Sequence, residues 1–181
     1  SVICSDKTGT LTRNEMTLRE VVTASGRVVL GGTGYAPVGE VTVDGDVDRT
    51  LDEARLALVA GSVANDAQLT QRDGTWQIQG DPTEAAFLVA ARKLDGAPEL
   101  AEGHARAGHA PFTSERRMMS VLSAHPLGGH VLYAKGAPDV LLERCTSEQV
   151  GDATAPLTAG RRIELARTVE SLSGKGYRTL G

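Results

Sequence analysis

Long hydrophobic runs are missing from this chain of 181 residues. No stretch approaches the ~18 consecutive apolar residues of a membrane-spanning helix, and no secretory signal peptide is recognisable. Cysteine is scarce: Cys4 and Cys145 are the only two and lie far apart. That excludes a disulfide framework and makes a reducing compartment the simpler reading. Excess positive charge is also absent. Nineteen Lys and Arg face 23 Asp and Glu, for a net charge of −4, which argues against a nucleic-acid-binding surface. Aromatics make up 3% of the residues, with two Phe, so each ring needs a reason. Neither a Gly-x-x-x-x-Gly-Lys-Ser/Thr loop, nor a Gly-x-Gly-x-x-Gly run, nor a nucleophile elbow occurs. His104, His109, His125 and His130 come without cysteines or acids at metal-ligand spacing, so a structural zinc site is not expected.

What remains is globular in composition: 40% apolar residues, 21 Gly, no repeat and no low-complexity tract, with length enough for one well-packed domain. One run stands out, Asp6-Lys7-Thr8-Gly9-Thr10-Leu11-Thr12, directly after the apolar Val2-Ile3-Cys4. The apolar stretch reads as a buried strand end entering a loop. A carboxylate at that point can accept a phosphoryl group as a nucleophile. Lys7 can neutralise charge on the group in transfer, Thr8 and Thr10 offer hydroxyl and backbone donors, and Gly9 permits close backbone approach. An ordinary solvated turn is the competing reading of these residue types. Five specified residues recur by chance about once in three million positions, which favours the chemical reading.

Periodicity places strands over 18–23 and 27–30, joined by a turn at Ser25-Gly26. Residues 31–48 read as a loop or irregular hairpin. A helix is expected over 50–63, with Thr50 as N-cap and Glu53 completing a capping box. A strand follows at 75–79. A helix then begins at Asp81-Pro82-Thr83-Glu84 with an Asp cap and Pro in the first turn. Residues 95–110 read as a linker, helical at most around 98–106. Strands at 118–123 and 130–134 pair through Pro126-Leu127-Gly128-Gly129. Residues 138–145 form a short helix, 146–157 a loop and 158–172 the longest helix, stopped by Gly174 and Gly176. Hairpins flanked by helices define an α+β fold, an antiparallel β-sheet with helices on its flank. Residues 177–181 read as a strand. With apparent strands at both ends, the chain reads as a piece excised from a longer protein.

The Asp6–Thr12 run resembles the phosphorylation signature of P-type ATPases, ion pumps that pass through an aspartyl phosphate. Related haloacid-dehalogenase-like phosphatases usually carry a second Asp two residues after the nucleophile, a general acid/base that speeds turnover. Thr8 stands at that position here, which suits a pump that needs a lasting intermediate.

Four later patches resemble, in order, the nucleotide-binding domain of type II (calcium-pump-like) cation pumps. In Gly80-Asp81-Pro82-Thr83-Glu84 the resemblance assigns Glu84 to the adenosine part of ATP; the same Glu also fits a capping box. In Phe112-Thr113-Ser114-Glu115-Arg116-Arg117-Met118-Met119-Ser120 it places Phe112 on adenine and turns the basic Arg117, where Lys is usual, towards the nucleotide. Core packing is the alternative for Phe112, set against its polar loop after Pro111. Lys135-Gly136-Ala137-Pro138 resembles the Lys-Gly-Ala motif at the ATP pocket, with Asp139 where Glu is usual; an exposed strand-end lysine is the alternative. In Gly176-Tyr177-Arg178-Thr179-Leu180 the resemblance brings Arg178 to the phosphates, and a surface arginine is the alternative. Gly32-Thr33-Gly34-Tyr35-Ala36-Pro37 and Asn65-Asp66-Ala67 also recur in such pumps. His125-Pro126 is similar to a pair in heavy-metal pumps but is read as a turn.

The resemblance implies that residues 1–16 begin a phosphorylation domain and hinge, and that 17–181 form a nucleotide-binding domain cut short at its C-terminal end. It implies ATP and Mg²⁺, with Asp6 as phosphorylated nucleophile aided by Lys7 and Thr8. Asp6 and Thr8 would contribute to the metal site of the full-length parent. It also implies a cytoplasmic domain of an integral membrane protein, itself soluble, whose partners are the remaining phosphorylation, actuator and transmembrane domains and no nucleic acid. Without the later segments that complete the Mg²⁺ site, the chain alone is expected to bind ATP without turnover. Two alternatives are a haloacid-dehalogenase-like phosphotransferase and a non-catalytic nucleotide-binding module.

Overall fold

A computed structural model describes residues 15–125 and 127–181. The Asp6–Thr12 run, the apolar stretch before it and Pro126 lie outside the described residues, and with them the expected roles of Asp6, Lys7 and Thr8.

The first unit is an antiparallel meander of β1 (Glu20–Val22), β2 (Gly26–Leu30) and β3 (Val41–Gly45), with Val21 opposite Val28 and Val28 opposite Val43. Val28 and Leu30 are buried while Val29 between them is exposed, the alternation of a strand with one face on the core. The stretch read as a loop or irregular hairpin thus supplies the third strand. Helix α1 (Val47–Val63) follows. It begins one turn before the expected start, because the Asp46 carboxylate accepts the Arg49 N–H at 3.2 Å and caps it there. Thr50 is consequently buried inside the helix. Glu53 closes no capping box; it accepts from the Ser25 N–H at 2.9 Å, the Ser25 hydroxyl at 2.6 Å and the Gly151 N–H at 2.6 Å.

Strands β4 (Gln68–Arg72) and β5 (Thr75–Gln79) form a hairpin. Its two turn residues, Asp73 and Gly74, both have positive φ (51° and 78°), the Asp-Gly turn that matches strand twist. Helix α2 (Pro82–Ala91) starts as expected: the Asp81 carboxylate accepts the Thr83 N–H at 2.7 Å and the Glu84 N–H at 3.3 Å, with Pro82 in the first turn. It packs on α1 at Gly61, where a Cβ would lie 2.6 Å from Phe87 Cε1.

The segment read as a linker contains α3 (Ala97–Ala101) and β6 (Arg106–Ala110). Strand β6 joins β7 (Met118–Ala124) and β8 (His130–Gly136) in a sheet of order β6-β7-β8, all antiparallel. Helix α4 (Pro138–Arg144), a β9 (Ser147–Val150)–β10 (Ala153–Pro156) hairpin in the stretch read as loop, and α5 (Ala159–Gly174) complete the elements. Residues 177–181 form no assigned strand. They reach the sheet through Gly181, which exchanges two backbone hydrogen bonds of 3.0 Å with Gly136.

The main core joins the meander to α1 and α2 through Val28, Leu30, Ala54, Leu58, Ala90, Ala91 and Leu94. A smaller cluster of Ala64, Met119 and Val121 seats the end of α1 on the second sheet. The fold is α+β, with antiparallel sheets flanked by helices. No helix among the described residues is long and apolar enough to cross a membrane.

Candidate functional site

The end of β8, the start of α2, the loop before β7 and the last five residues of the chain surround one cavity of about 360 Å³. Each element contributes a residue singled out from the sequence: Glu84 from α2, Phe112 from the loop, Lys135 and Gly136 from β8, and Arg178 from the terminal segment. Asp66, Asp81, Thr83, Phe87, Met119 and Leu180 fill the remaining wall.

The charged centre is Lys135 paired with Glu84. Lys135 Nζ lies 3.0 Å from Glu84 Oε1, and both side chains are largely covered, 9% and 17% exposed. Lys135 is therefore no exposed strand-end lysine. Its ammonium also sits 5.1 Å from the centre of the Phe87 ring, a cation–π contact. Burial, the largest influence, holds its pKa below the ordinary lysine value, and the Glu84 carboxylate works in the opposite direction. The second Glu84 oxygen accepts the Asp66 N–H at 3.1 Å, so this carboxylate engages Lys135 and the 65–67 turn instead of closing a capping box.

That turn is built by residues whose role is not evident from the sequence. Asn65 Nδ2 donates to Glu84 O at 2.8 Å and to Gly61 O at 3.1 Å, and Asn65 Oδ1 accepts the Ala67 N–H at 2.8 Å. Arg106 braces it from β6, donating to Asp66 Oδ1 and to Asn65 O, each at 2.6 Å. Asn65-Asp66-Ala67 stands out in the sequence only as a family echo. Its bracing partner lies 40 residues on, in a stretch read as linker, where no local signal marks it.

Phe112 is 59% exposed, so core packing does not explain it. Its loop is nonetheless fixed: Arg116 donates to Pro111 O at 3.1 Å and to Ser120 Oγ at 3.2 Å, and its N–H reaches Thr113 Oγ1 at 3.2 Å. An apolar ring is thereby held at the cavity mouth. Arg178, also in the lining, donates to Thr83 Oγ1 at 3.3 Å. Gly136 has a reason within the fold itself: a Cβ there would overlap Arg117 O and lie 2.6 Å from Met118 Cα. Arg117 is not among the residues lining the cavity; its guanidinium forks onto Asp139 at 2.8 and 3.0 Å.

The arrangement offers an exposed aromatic ring, a largely covered cation paired with a carboxylate, and a guanidinium, all lining one cavity. These are the elements needed to hold a planar base with an anionic tail. Among the described residues no group of three or more His, Cys, Asp or Glu could hold a metal ion. Asp6 and Thr8, the expected metal ligands, lie outside those residues. A second cleft of about 340 Å³, between the β1–β2 turn and α5 and lined in part by Ser25, Arg27 and Arg161, contains none of the expected site residues.

The chain belongs to the family described as P-type ATPase, cytoplasmic domain N, whose model matches residues 53–181. It is 44% identical to the "Probable cation-transporting ATPase F" of Mycobacterium tuberculosis, across 99% of this chain and 20% of that protein. It is 34% identical to the "Calcium-transporting ATPase" of Bacillus subtilis (99% and 21%) and 36% identical to the human "Calcium-transporting ATPase type 2C member 1" (99% and 20%). The chain thus spans about a fifth of the length of these relatives.

Proposed function

We propose that this chain is the ATP-binding part of a membrane cation pump and that it positions ATP for phosphoryl transfer to Asp6. The observation that carries the reading is the convergence of Glu84, Phe112, Lys135, Gly136 and Arg178, from four separate segments, on one cavity. The adenine ring stacks on Phe112 and lies against the end of β8. Glu84 holds Lys135 in place and meets the nucleoside edge, while Lys135 and Arg178 offset the negative charge of the phosphates; Arg117, forked onto Asp139 outside the cavity lining, joins them only when released from that pair.

Phosphoryl transfer then follows the chemistry of the Asp6 motif. A carboxylate oxygen of Asp6 bonds to the γ-phosphorus, the bond from that phosphorus to the β–γ bridging oxygen breaks, and ADP leaves with the electron pair. Lys7 and Thr8 stabilise the group in transit. Mg²⁺, when bound, would share the phosphate charge with Asp6 and Thr8 among its ligands. The first 16 residues would belong to the phosphorylation domain and hinge, and the partners are the remaining phosphorylation, actuator and transmembrane domains of the parent pump.

Calorimetric titration of the chain with ATP tests the reading, with Phe112→Ala alongside. Saturable binding that is weakened in the variant supports it. A folded wild-type chain that binds no ATP, or a variant that binds as tightly as wild type, refutes it.

A further inference from the structure

Arg117 is held in an unusual backbone conformation beside the cavity. Its φ is 52°, in the left-handed region that non-glycine residues seldom occupy. Two backbone hydrogen bonds pin it: its N–H donates to Thr113 O at 2.8 Å and its carbonyl accepts the Ala137 N–H at 2.9 Å. Met119 and Gly136, close by along β7 and at the end of β8, line the cavity. The guanidinium itself is engaged by Asp139 in the first turn of α4, Nη1 to Oδ2 at 2.8 Å and Nη2 to Oδ1 at 3.0 Å. Both side chains are exposed, 52% and 62%.

A guanidinium fork matches a carboxylate and a phosphate with the same pair of parallel donors. One fork cannot serve both fully. An exposed guanidinium–carboxylate pair is also weak in water, because solvent screens it and both side chains lose freedom in forming it. We propose that Asp139 is a built-in competitor for Arg117: a polyphosphate entering the cavity draws the fork from Asp139, and this exchange lowers the affinity for phosphate-bearing ligands while leaving recognition of the base untouched. This rests on the ATP-site reading above. Asp139 acts here as a residue that tunes discrimination between nucleotide and nucleoside.

The test is a calorimetric comparison of ATP and adenosine on the wild-type chain, Asp139→Asn, Arg117→Ala and the double variant. Asp139→Asn is expected to tighten ATP by about two- to fivefold, the range that an exposed ion pair spans, and to leave adenosine unchanged. In the Arg117→Ala background the same substitution is expected to change nothing. The proposal is overturned if Asp139→Asn leaves ATP affinity unaltered, or shifts adenosine equally. It is also overturned if ATP tightens as much without Arg117, since a general charge effect would then suffice. Failure of the folded wild-type chain to bind ATP would overturn the site reading, and this inference with it.

Discussion

At Phe112 the ring spends most of its surface in solvent although its loop is tied down by Arg116. A largely exposed ring can be removed at little cost. Phe112→Ala is therefore expected to shift folding stability by no more than about 0.5 kcal/mol. The same change weakens ATP by about 1–3 kcal/mol, the range of base–aromatic stacking. Denaturant unfolding and calorimetry on one sample check both halves, and a large loss of stability would return Phe112 to a packing role. Lys135 behaves oppositely. Its ammonium is covered and paired with Glu84, so Lys135→Ala strands a carboxylate with little access to water. A destabilisation of about 2–4 kcal/mol is expected, partly recovered by Glu84→Gln in the same chain. Urea unfolding of the three variants measures this, and no recovery in the double variant would contradict the pairing. Phe112 and Lys135 are readable from the sequence because their motifs are short and local. Arg106 is not, because the turn that it braces lies 40 residues away.

Among the elements, α1 carries two features that simple propensity gets wrong. Gly61 lies within the helix, where replacement by Ala ordinarily stabilises by about 1 kcal/mol. Here the added methyl would run into the Phe87 ring, so Gly61→Ala is expected to destabilise by about 1–3 kcal/mol through overpacking. A more stable variant in thermal unfolding would refute the close α1–α2 approach. Glu53 ties α1 to two turns, the one between β1 and β2 and the one between β9 and β10. Burial pushes its pKa up, but hydrogen bonds from the Ser25 and Thr23 side chains and from the Gly151 and Ser25 backbone outweigh that and hold it at about 2. A carboxyl depressed on folding contributes stability that is complete above its unfolded value of 4.5 and is lost as pH falls towards 2. Urea unfolding between about pH 5 and pH 2 should show a loss of stability in wild type that Glu53→Gln reduces, and equal slopes would contradict the assignment. The local pattern of Thr50 and Glu53 suggests a capping box. Asp46 overrides it, because a cap one turn earlier leaves Thr50 and Glu53 to face the packed side of the helix. Strands β9 and β10, Ser-Glu-Gln-Val and Ala-Thr-Ala-Pro, are unreadable for a related reason: they have little apolar alternation and exist through pairing with each other.

Over the whole molecule, two clusters of buried side chains meet along α1, one against the meander and α2, the other against the β6-β7-β8 sheet. The candidate cavity forms where the second sheet ends beside the start of α2. The α+β class was legible from hairpins with flanking helices, and family membership from the order of the four patches. The bracing of the wall was legible from neither, because it depends on contacts between segments far apart in sequence. The central claim is that ATP occupies this cavity, and backbone and side-chain chemical shifts of the labelled chain titrated with ATP test it most directly. The account predicts saturable shifts concentrated at Glu84, Phe112, Lys135, Gly136 and Arg178. Shifts that gather instead around Ser25, Arg27 and Arg161, or a folded chain whose spectrum ATP leaves unchanged, would contradict it.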